Sequence, residues 1–185
     1  MTEYRAAETD AQRTEVVGLA RQIDPRFFLV LLPQALVAAS EDLRLSAARD
    51  IGLLAEQFLP EGVRMGVAAP DADIRAEVLN VAANALPKLR PKLLGIALQS
   101  SQFPATRLEA AQLLMERPDQ PSFAALLPGL DDQDARVREK LTELVESKVA
   151  KRFKSASEAQ AWWAANQERF DAMLLEIPVG VPDAP

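Results

Sequence analysis

The sequence predicts an all-α fold, an α-solenoid of about four helix pairs with a capping helix at each end. Two observations indicate this fold class. A pattern built around Arg recurs four times along the chain, and the apolar residues near each Arg follow helical periodicity. A third observation argues against strands: only 5% of the 185 residues are aromatic, and Ala and Leu, which suit packing between helices, supply most of the apolar content.

The repeated unit is defined by four repeat arginines, Arg44, Arg75, Arg107 and Arg138, at spacings of 31, 32 and 31 residues. The residues one before, three after and seven after each of them are almost all apolar, which indicates one buried helix face. The residues five after are polar in every copy: Arg49, Asn80, Gln112 and Glu143. A second apolar segment precedes each helix, at 26–39, 62–69, 92–99 and 122–130. Each unit is therefore predicted to be a helix, a turn and a second helix, which bury their shared face by stacking on neighbouring units.

Helix-start signals stand four residues before the repeat arginines. Ser40, Asp71 and Asp134 occupy this position in three copies, and a short side-chain oxygen there can accept hydrogen bonds from free backbone N–H groups. The third copy has Phe103 followed by Pro104, and Pro is tolerated in the first turn of a helix. The pattern predicts that a helix begins directly after each of these positions.

Two segments point to a known repeat family: residues 126–138 read LLPGLDDQDARVR, and residues 70–75 read PDADIR. With these segments the chain resembles the HEAT repeat family, in particular its short bacterial form first associated with phycobilisome lyases. The likeness extends over roughly residues 25 to 150, a length that holds several repeats. It implies a structural ladder in which a turn Asp and a helix Arg join neighbouring repeats. The ladder residues would be Arg44, Arg75, Arg107, Arg138, Asp71, Asp132 and Asp134.

Carried over from this resemblance, two rungs of the ladder can be assigned. Asp132 and Asp134 would bind Arg138, and Asp71 would bind Arg75. The other two repeat arginines have no equivalent Asp in the turns before them. The resemblance therefore implies a ladder that is complete in two of the four repeats.

The two ends of the chain are predicted to carry capping helices. Thr9 and Gln12 fit a capping box at the start of the first helix, whose apolar stripe is Val16, Leu19, Ala20 and Ile23. Ser157 and Gln160 form a similar pair, which predicts a last helix that continues to about Ala172. The predicted organisation is one domain, residues 9–177, between flexible tails at 1–8 and 178–185.

The chain lacks the residues on which most catalytic sites depend. It contains no His and no Cys, which excludes Ser-His-Asp and Cys-His nucleophile systems and the commonest transition-metal ligands. The acidic residues at 71–73 and 131–134 do not match a calcium loop and are interpreted as helix-start charges. We therefore expect no catalytic residue, no cofactor and no metal site.

The charge of the chain favours a protein partner. Its formal net charge is −6 and its pI about 4.8, whereas nucleic-acid binding requires a concentrated positive field. Residues 1–10 include three acidic residues and no apolar stretch, which is unlike a signal peptide. No apolar run is long enough for a membrane span. We therefore expect a cytoplasmic protein whose partner is another protein or a peptide.

The expected function is that of a non-catalytic protein-binding scaffold or adaptor. Its binding surface would be the predicted face, the solvent-facing residues of the repeat-arginine helices, which line the concave surface in HEAT-like folds. These are Leu45, Arg49, Glu77, Asn80, Asn84, Leu108, Glu109, Gln112, Met115, Lys140 and Glu143. Trp162 and Trp163 are adjacent, so one is expected to close the core while the other can be an exposed anchor for a partner. Phe27 and Phe28 are both interpreted as core residues.

Two other functions remain open at this stage. The resemblance also implies a phycobilin lyase-like or chaperone-like subunit that acts with a second subunit. A DNA-binding HEAT-like protein is disfavoured because the chain is acidic and the polar residue five after each repeat arginine changes from Arg49 to Glu143 toward the C-terminus.

Overall fold

The structure, a computed structural model, describes residues 2–7 and 9–177, and this part of the chain is helical. Within it there is no strand, only an isolated antiparallel bridge between Phe170 and Glu176. The α-helices are α1 (Thr2–Ala6), α2 (Asp10–Ile23), α3 (Pro25–Ala35), α4 (Glu41–Ile51), α5 (Leu59–Gly66), α6 (Ala72–Ala83), α7 (Arg90–Ser100), α8 (Pro104–Glu116), α9 (Gln120–Leu126), α10 (Ala135–Val149) and α11 (Ala156–Asn166). Two 3₁₀ turns follow α9 and α11, at Leu127–Asp131 and Gln167–Arg169.

Contacts between the helices follow two series. In the first, α2 contacts α4, α4 contacts α6, α6 contacts α8 and α8 contacts α10. In the second, α3 contacts α5, α5 contacts α7 and α7 contacts α9, and α11 packs on the 3₁₀ turn after α9. Consecutive helices from α2 to α10 also contact each other. The all-α part of the predicted fold is confirmed.

The buried face of each repeat-arginine helix is the one that the periodicity predicts. The residues one before, three after and seven after each repeat arginine are at most 4% exposed in all four helices. These are Leu43, Ala47, Ile51, Ile74, Val78, Ala82, Thr106, Ala110, Leu114, Val137, Leu141 and Val145. The polar residue five after each arginine is exposed in every copy. Spacing alone therefore predicted correctly which face packs.

The predicted helix starts are confirmed in detail. Ser40 accepts a hydrogen bond from the backbone N of Leu43 at 3.3 Å. At the same repeat position, Asp71 caps α6 and Asp134 caps α10. Phe103 precedes α8 without a side-chain cap, and Pro104 is the first residue of that helix. Thr9 forms the predicted capping box with the third residue of α2.

Both ends of the chain differ from the sequence prediction. The last helix begins two residues earlier than predicted, because Ser155 accepts the bond from the backbone N of Glu158 at 3.2 Å. It ends at Asn166, where the chain enters a 3₁₀ turn, so the predicted extension to Ala172 is wrong. At the other end, the expected flexible tail at 1–8 contains α1, whose Tyr4 is buried. The expected tail at 178–185 lies outside the described residues.

Gly66, the last residue of α5, marks a close approach between α5 and α6. A methyl group placed on it would lie 2.5 Å from Cγ2 of Val78, a buried residue of α6. Gly18, inside α2, provides a contrast, because a methyl group there would meet no atom of another element within 4 Å. The packing of α5 on α6 requires that position 66 carry no side chain, whereas position 18 has room for one.

Replacement of these two glycines should therefore have opposite effects. Gly66→Ala should lower the free energy of unfolding by about 1–3 kcal/mol, the usual cost of overpacking. Gly18→Ala should raise it by about 0.5–1 kcal/mol, because Ala loses less backbone freedom in a helix. Urea denaturation followed by circular dichroism measures both. Equal effects of the two changes would contradict the close packing of α5 on α6.

Candidate functional site

The predicted face is solvent-accessible along its whole length. None of its residues is buried: six are exposed and five are partly buried. Its apolar members, Leu45, Leu108 and Met115, are partly buried and pack against the core. The face is therefore more polar than the sequence suggested, because the apolar side chains expected to meet a partner already cover the core.

Charged and amide groups of the predicted face bind one another. Nε of Arg49 on α4 lies 3.2 Å from Oε1 of Glu77 on α6. The amide of Asn84 donates to Oδ1 of Asn80 at 2.7 Å, and Nζ of Lys140 lies 3.1 Å from Glu143 Oε2. These pairs are exposed, and such pairs contribute little to stability. A partner that used these groups would have to replace existing bonds.

The repeat arginines do form a ladder, but its register differs from the one expected. Arg44 donates from Nη2 to Asp71 at 3.0 Å, and Arg107 binds both carboxylate oxygens of Asp132, at 2.7 and 2.8 Å. Each carboxylate therefore belongs to the repeat after its arginine, and the expected carboxylate rungs from Asp71 to Arg75 and from Asp132 to Arg138 are wrong, since Arg138 binds only the backbone carbonyl oxygen of Asp132. The two arginines that were expected to lack an Asp are those that bind one.

The remaining ladder residues also depart from expectation. Nε of Arg75 donates to the Thr106 hydroxyl at 3.0 Å, and its guanidinium carbon lies 3.6 Å from the ring centroid of Phe103. Asp134 caps α10 and pairs with Arg136 at 3.1 Å rather than with Arg138. The acceptor thus varies from rung to rung while the arginine stays constant.

The common feature of the four arginines is a bond to the turn that precedes their own helix. In each case Nη1 donates to the carbonyl oxygen six residues earlier: Ala38, Ala69, Ser101 and Asp132. A helical side chain leans toward the helix N-terminus, which brings the guanidinium to this turn. In the first three repeats, the other nitrogens reach the next repeat. This explains the register that the sequence analysis missed.

Arg107 and Arg138 occupy the same repeat position and test the ladder directly. Arg107→Ala should lower the free energy of unfolding by about 3–5 kcal/mol, because it leaves the carboxylate of Asp132 buried and unpaired. Arg138 is exposed and donates only to backbone oxygens within the described residues. Arg138→Ala should therefore cost about 1 kcal/mol or less. Chemical denaturation of both variants checks this, and similar losses would refute the ladder as a source of stability.

The rung at Asp71 should make stability depend on pH. The backbone N–H of Asp73, followed by the Arg44 guanidinium, lowers the pKa of the Asp71 carboxyl below its ordinary value of 3.8. A lowered pKa stabilises the fold above the ordinary value, and this stabilisation is lost as the pH falls through the folded-state value.

Asp71→Asn should therefore reduce the loss of stability on acidification. Urea midpoints at about pH 5 and about pH 3 should differ less in this variant than in the wild type. Asp73→Asn is the matched control, because the Asp73 side chain makes no hydrogen bond or ion pair with any described residue. If Asp71→Asn and Asp73→Asn change the pH dependence equally, Asp71 has no special part in it.

The two tryptophans lie in an aromatic cluster at the C-terminal end. Trp163 is 5% exposed and its ring centroid lies 4.7 Å from that of Phe123. Trp162 is partly buried between Phe153 and Phe170, with ring centroids at 5.4 and 6.2 Å. Trp163 thus closes the core, as expected for one of the pair, and Trp162 presents only part of its ring to a partner.

An apolar surface lies at the other end of the chain, where the sequence did not predict a site. The N-terminal groove is an open groove of about 750 Å³ lined by α2, α3 and Glu3 of α1. Four of its large apolar side chains are between 47% and 75% exposed: Leu19, Ile23, Phe27 and Val30. Surfaces of this kind usually mark an interaction site.

The exposure of this groove overturns two expectations. Leu19 and Ile23 were assigned to the packed stripe of the first helix, but the core contact of α2 is made by Val17 and Ala20. Phe28 is fully buried as expected, whereas Phe27 is 57% exposed. The spacing of the apolar residues was visible in the sequence. Which of these residues the other described elements cover was not.

The described residues contain no group of three or more acidic side chains placed to hold a metal ion. None of the helices in the described part of the chain has the length and apolar character needed to span a bilayer. Comparison with known proteins found no matching family model, curated protein or solved structure. The HEAT-like resemblance therefore rests on the chain's own segments and stays a prediction.

Proposed function

We propose that the chain is a short HEAT-like α-solenoid that binds another protein through the N-terminal groove. Two features support the solenoid: the two series of helix contacts and the repeat arginines that join one helix pair to the next. In such a fold each repeat covers the apolar flank of its neighbour, and a terminal repeat has one uncovered flank. Within the described residues, the N-terminal groove has the uncovered apolar side chains expected of such a flank.

The observation that carries the protein-binding proposal is the apolar character of this groove. Polar residues are the usual outer face of a terminal repeat, yet Ile23 is 75% and Phe27 57% exposed. Exposed aliphatic and aromatic side chains are unfavourable in water, and a partner that covers them lowers the free energy of the system. The groove between two helices suits the apolar face of an amphipathic helix from the partner.

The predicted face is the weaker candidate for the main contact. Six of its eight polar residues are already paired within the chain, and its apolar side chains pack against the core. A polar, solvated surface of this kind resembles the rim of an interface more than its centre. In this proposal the predicted face contributes less to affinity and helps to orient the bound partner.

The proposal predicts that negative charges in the groove weaken binding of the partner without unfolding the protein. The double variant Ile23→Glu/Phe27→Glu should lose at least about tenfold in affinity for the partner, since apolar anchors commonly contribute 2 kcal/mol or more. Its thermal unfolding should change little because both side chains are exposed. The partner is the protein that wild-type chain captures from its native host, quantified by mass spectrometry and then purified for calorimetry.

Two control variants separate the surfaces. Leu53→Glu changes a side chain that is 61% exposed but lies outside the groove, and it should bind as the wild type does. Arg49→Glu with Glu143→Arg reverses charges on the predicted face and should reduce affinity only slightly. If the charge-reversed variant loses binding and the groove variant keeps it, the predicted face is the interface and the groove proposal fails.

A further inference from the structure

A second candidate site lies between α6, α7 and α8, away from the N-terminal groove. It is a pocket of about 340 Å³ whose lining includes Asn84, Arg90, Arg117 and Asp119. Its two arginines come from separate elements. Arg90 is the first residue of α7, and Arg117 follows the last residue of α8.

Arg90 is a buried cation whose donors are only partly used. Its side chain is 5% exposed, and Nη2 donates to the carbonyl oxygen of Leu113 near the end of α8. That bond satisfies a free carbonyl at a helix C-terminus. Within the described residues, Nε and Nη1 have no hydrogen-bond partner, and no carboxylate lies within ion-pair distance of Arg90.

The electrostatic surroundings of Arg90 disfavour its charge. Burial and, next in size, the positive charge of Arg117 lower the pKa of the Arg90 guanidinium, while Asp119 and Glu116 act in the opposite direction. The position of Arg90 at the first turn of α7 also sets its charge against the helix dipole. Arg117 itself is exposed and makes no ion pair with a described residue. An anion between the two arginines would offset the burial of the Arg90 charge and its repulsion by Arg117.

The charge balance of the pocket selects the kind of anion. Two cations and one carboxylate, that of Asp119, line it, so its net charge is one positive unit. Asp119 accepts a hydrogen bond from the backbone N of Ser122 at 2.7 Å, which holds this carboxylate in place. A monoanion balances this net charge and a dianion exceeds it, and a single carboxylate also matches the planar fork of a guanidinium.

We propose that the pocket between Arg90 and Arg117 binds one carboxylate of an acidic protein segment. The inference does not depend on the N-terminal groove, because the two surfaces share no residue. The free nitrogens of Arg90 bind the carboxylate in the pocket, and Arg117 closes over it from the exposed side. In the ligand-free protein both cations line the same pocket, and the charge of Arg117 acts against that of Arg90.

The test uses the full chain and a matched pair of peptides. The probe is a capped pentapeptide with one central Glu between Ala residues, and its control has Gln in place of Glu. Both are followed through the Nε–H resonances of the arginines in nitrogen-15 spectra at constant ionic strength. The Glu peptide should shift the resonances of Arg90 and Arg117 in a saturable way. The Gln peptide and sodium chloride should not.

Variants distinguish this site from a general effect of charge. Arg117→Gln should weaken binding of the Glu peptide about tenfold, the loss expected for one charge-assisted bond. Arg152→Gln removes the same charge from an exposed arginine outside the pocket and should bind as the wild type does. Without peptide, Arg117→Gln should unfold at a higher temperature than the wild type, because a like-charge contact is removed.

Three outcomes would overturn the proposal. The first is an equal response to the Glu and Gln peptides. The second is equal peptide affinity in Arg117→Gln and the wild type, which would show that Arg117 does not bind the carboxylate. The third is tighter binding of inorganic phosphate than of the Glu peptide, which would assign the pocket to a phosphate group instead.

Discussion

The structure depends on one repeated interaction, the bond from a helix arginine to the turn before its own helix. This bond occupies Nη1 of each repeat arginine and so fixes where the rest of the guanidinium points. In the first three repeats it points to the next repeat, where Asp71, Thr106 or Asp132 accepts a second bond. One side chain therefore stabilises a turn and the junction between two helix pairs. Because the donor is constant, the acceptor can vary between carboxylate and hydroxyl without a change in the fold.

The two ends of the described part of the chain differ in how their apolar side chains are covered. At the C-terminal end, an aromatic cluster around Trp163 and Phe170 covers the last helices. At the N-terminal end of the described residues, Leu19, Ile23, Phe27 and Val30 stay exposed. These side chains follow the apolar periodicity of a packed helix, but packing within the described residues leaves them uncovered. We regard this asymmetry as the physical origin of the proposed binding surface.

The predicted face shows how far a site can be inferred from spacing. Its accessibility was predicted correctly, because the residue five after each repeat arginine must point away from the packed side. Its availability to a partner was not predicted. That availability depends on bonds between helices, such as the one from Arg49 to Glu77, two residues that are 28 positions apart in sequence. The pocket at Arg90 illustrates the same limit. Neither arginine stood out in the sequence, and only the packing of α7 against α8 brings the two charges together.

The sequence alone determined the helical class, the packed face of each repeat-arginine helix and the residues that begin those helices, such as Ser40 and Asp71. These features depend on interactions within a few residues, so local periodicity and capping chemistry were sufficient. The tertiary structure alone decided which acceptor each repeat arginine binds, whether Leu19 and Phe27 are covered, and that Arg90 and Arg117 line one pocket. These outcomes depend on the distance and orientation between elements about one repeat or more apart, and the pattern of a single helix does not encode them.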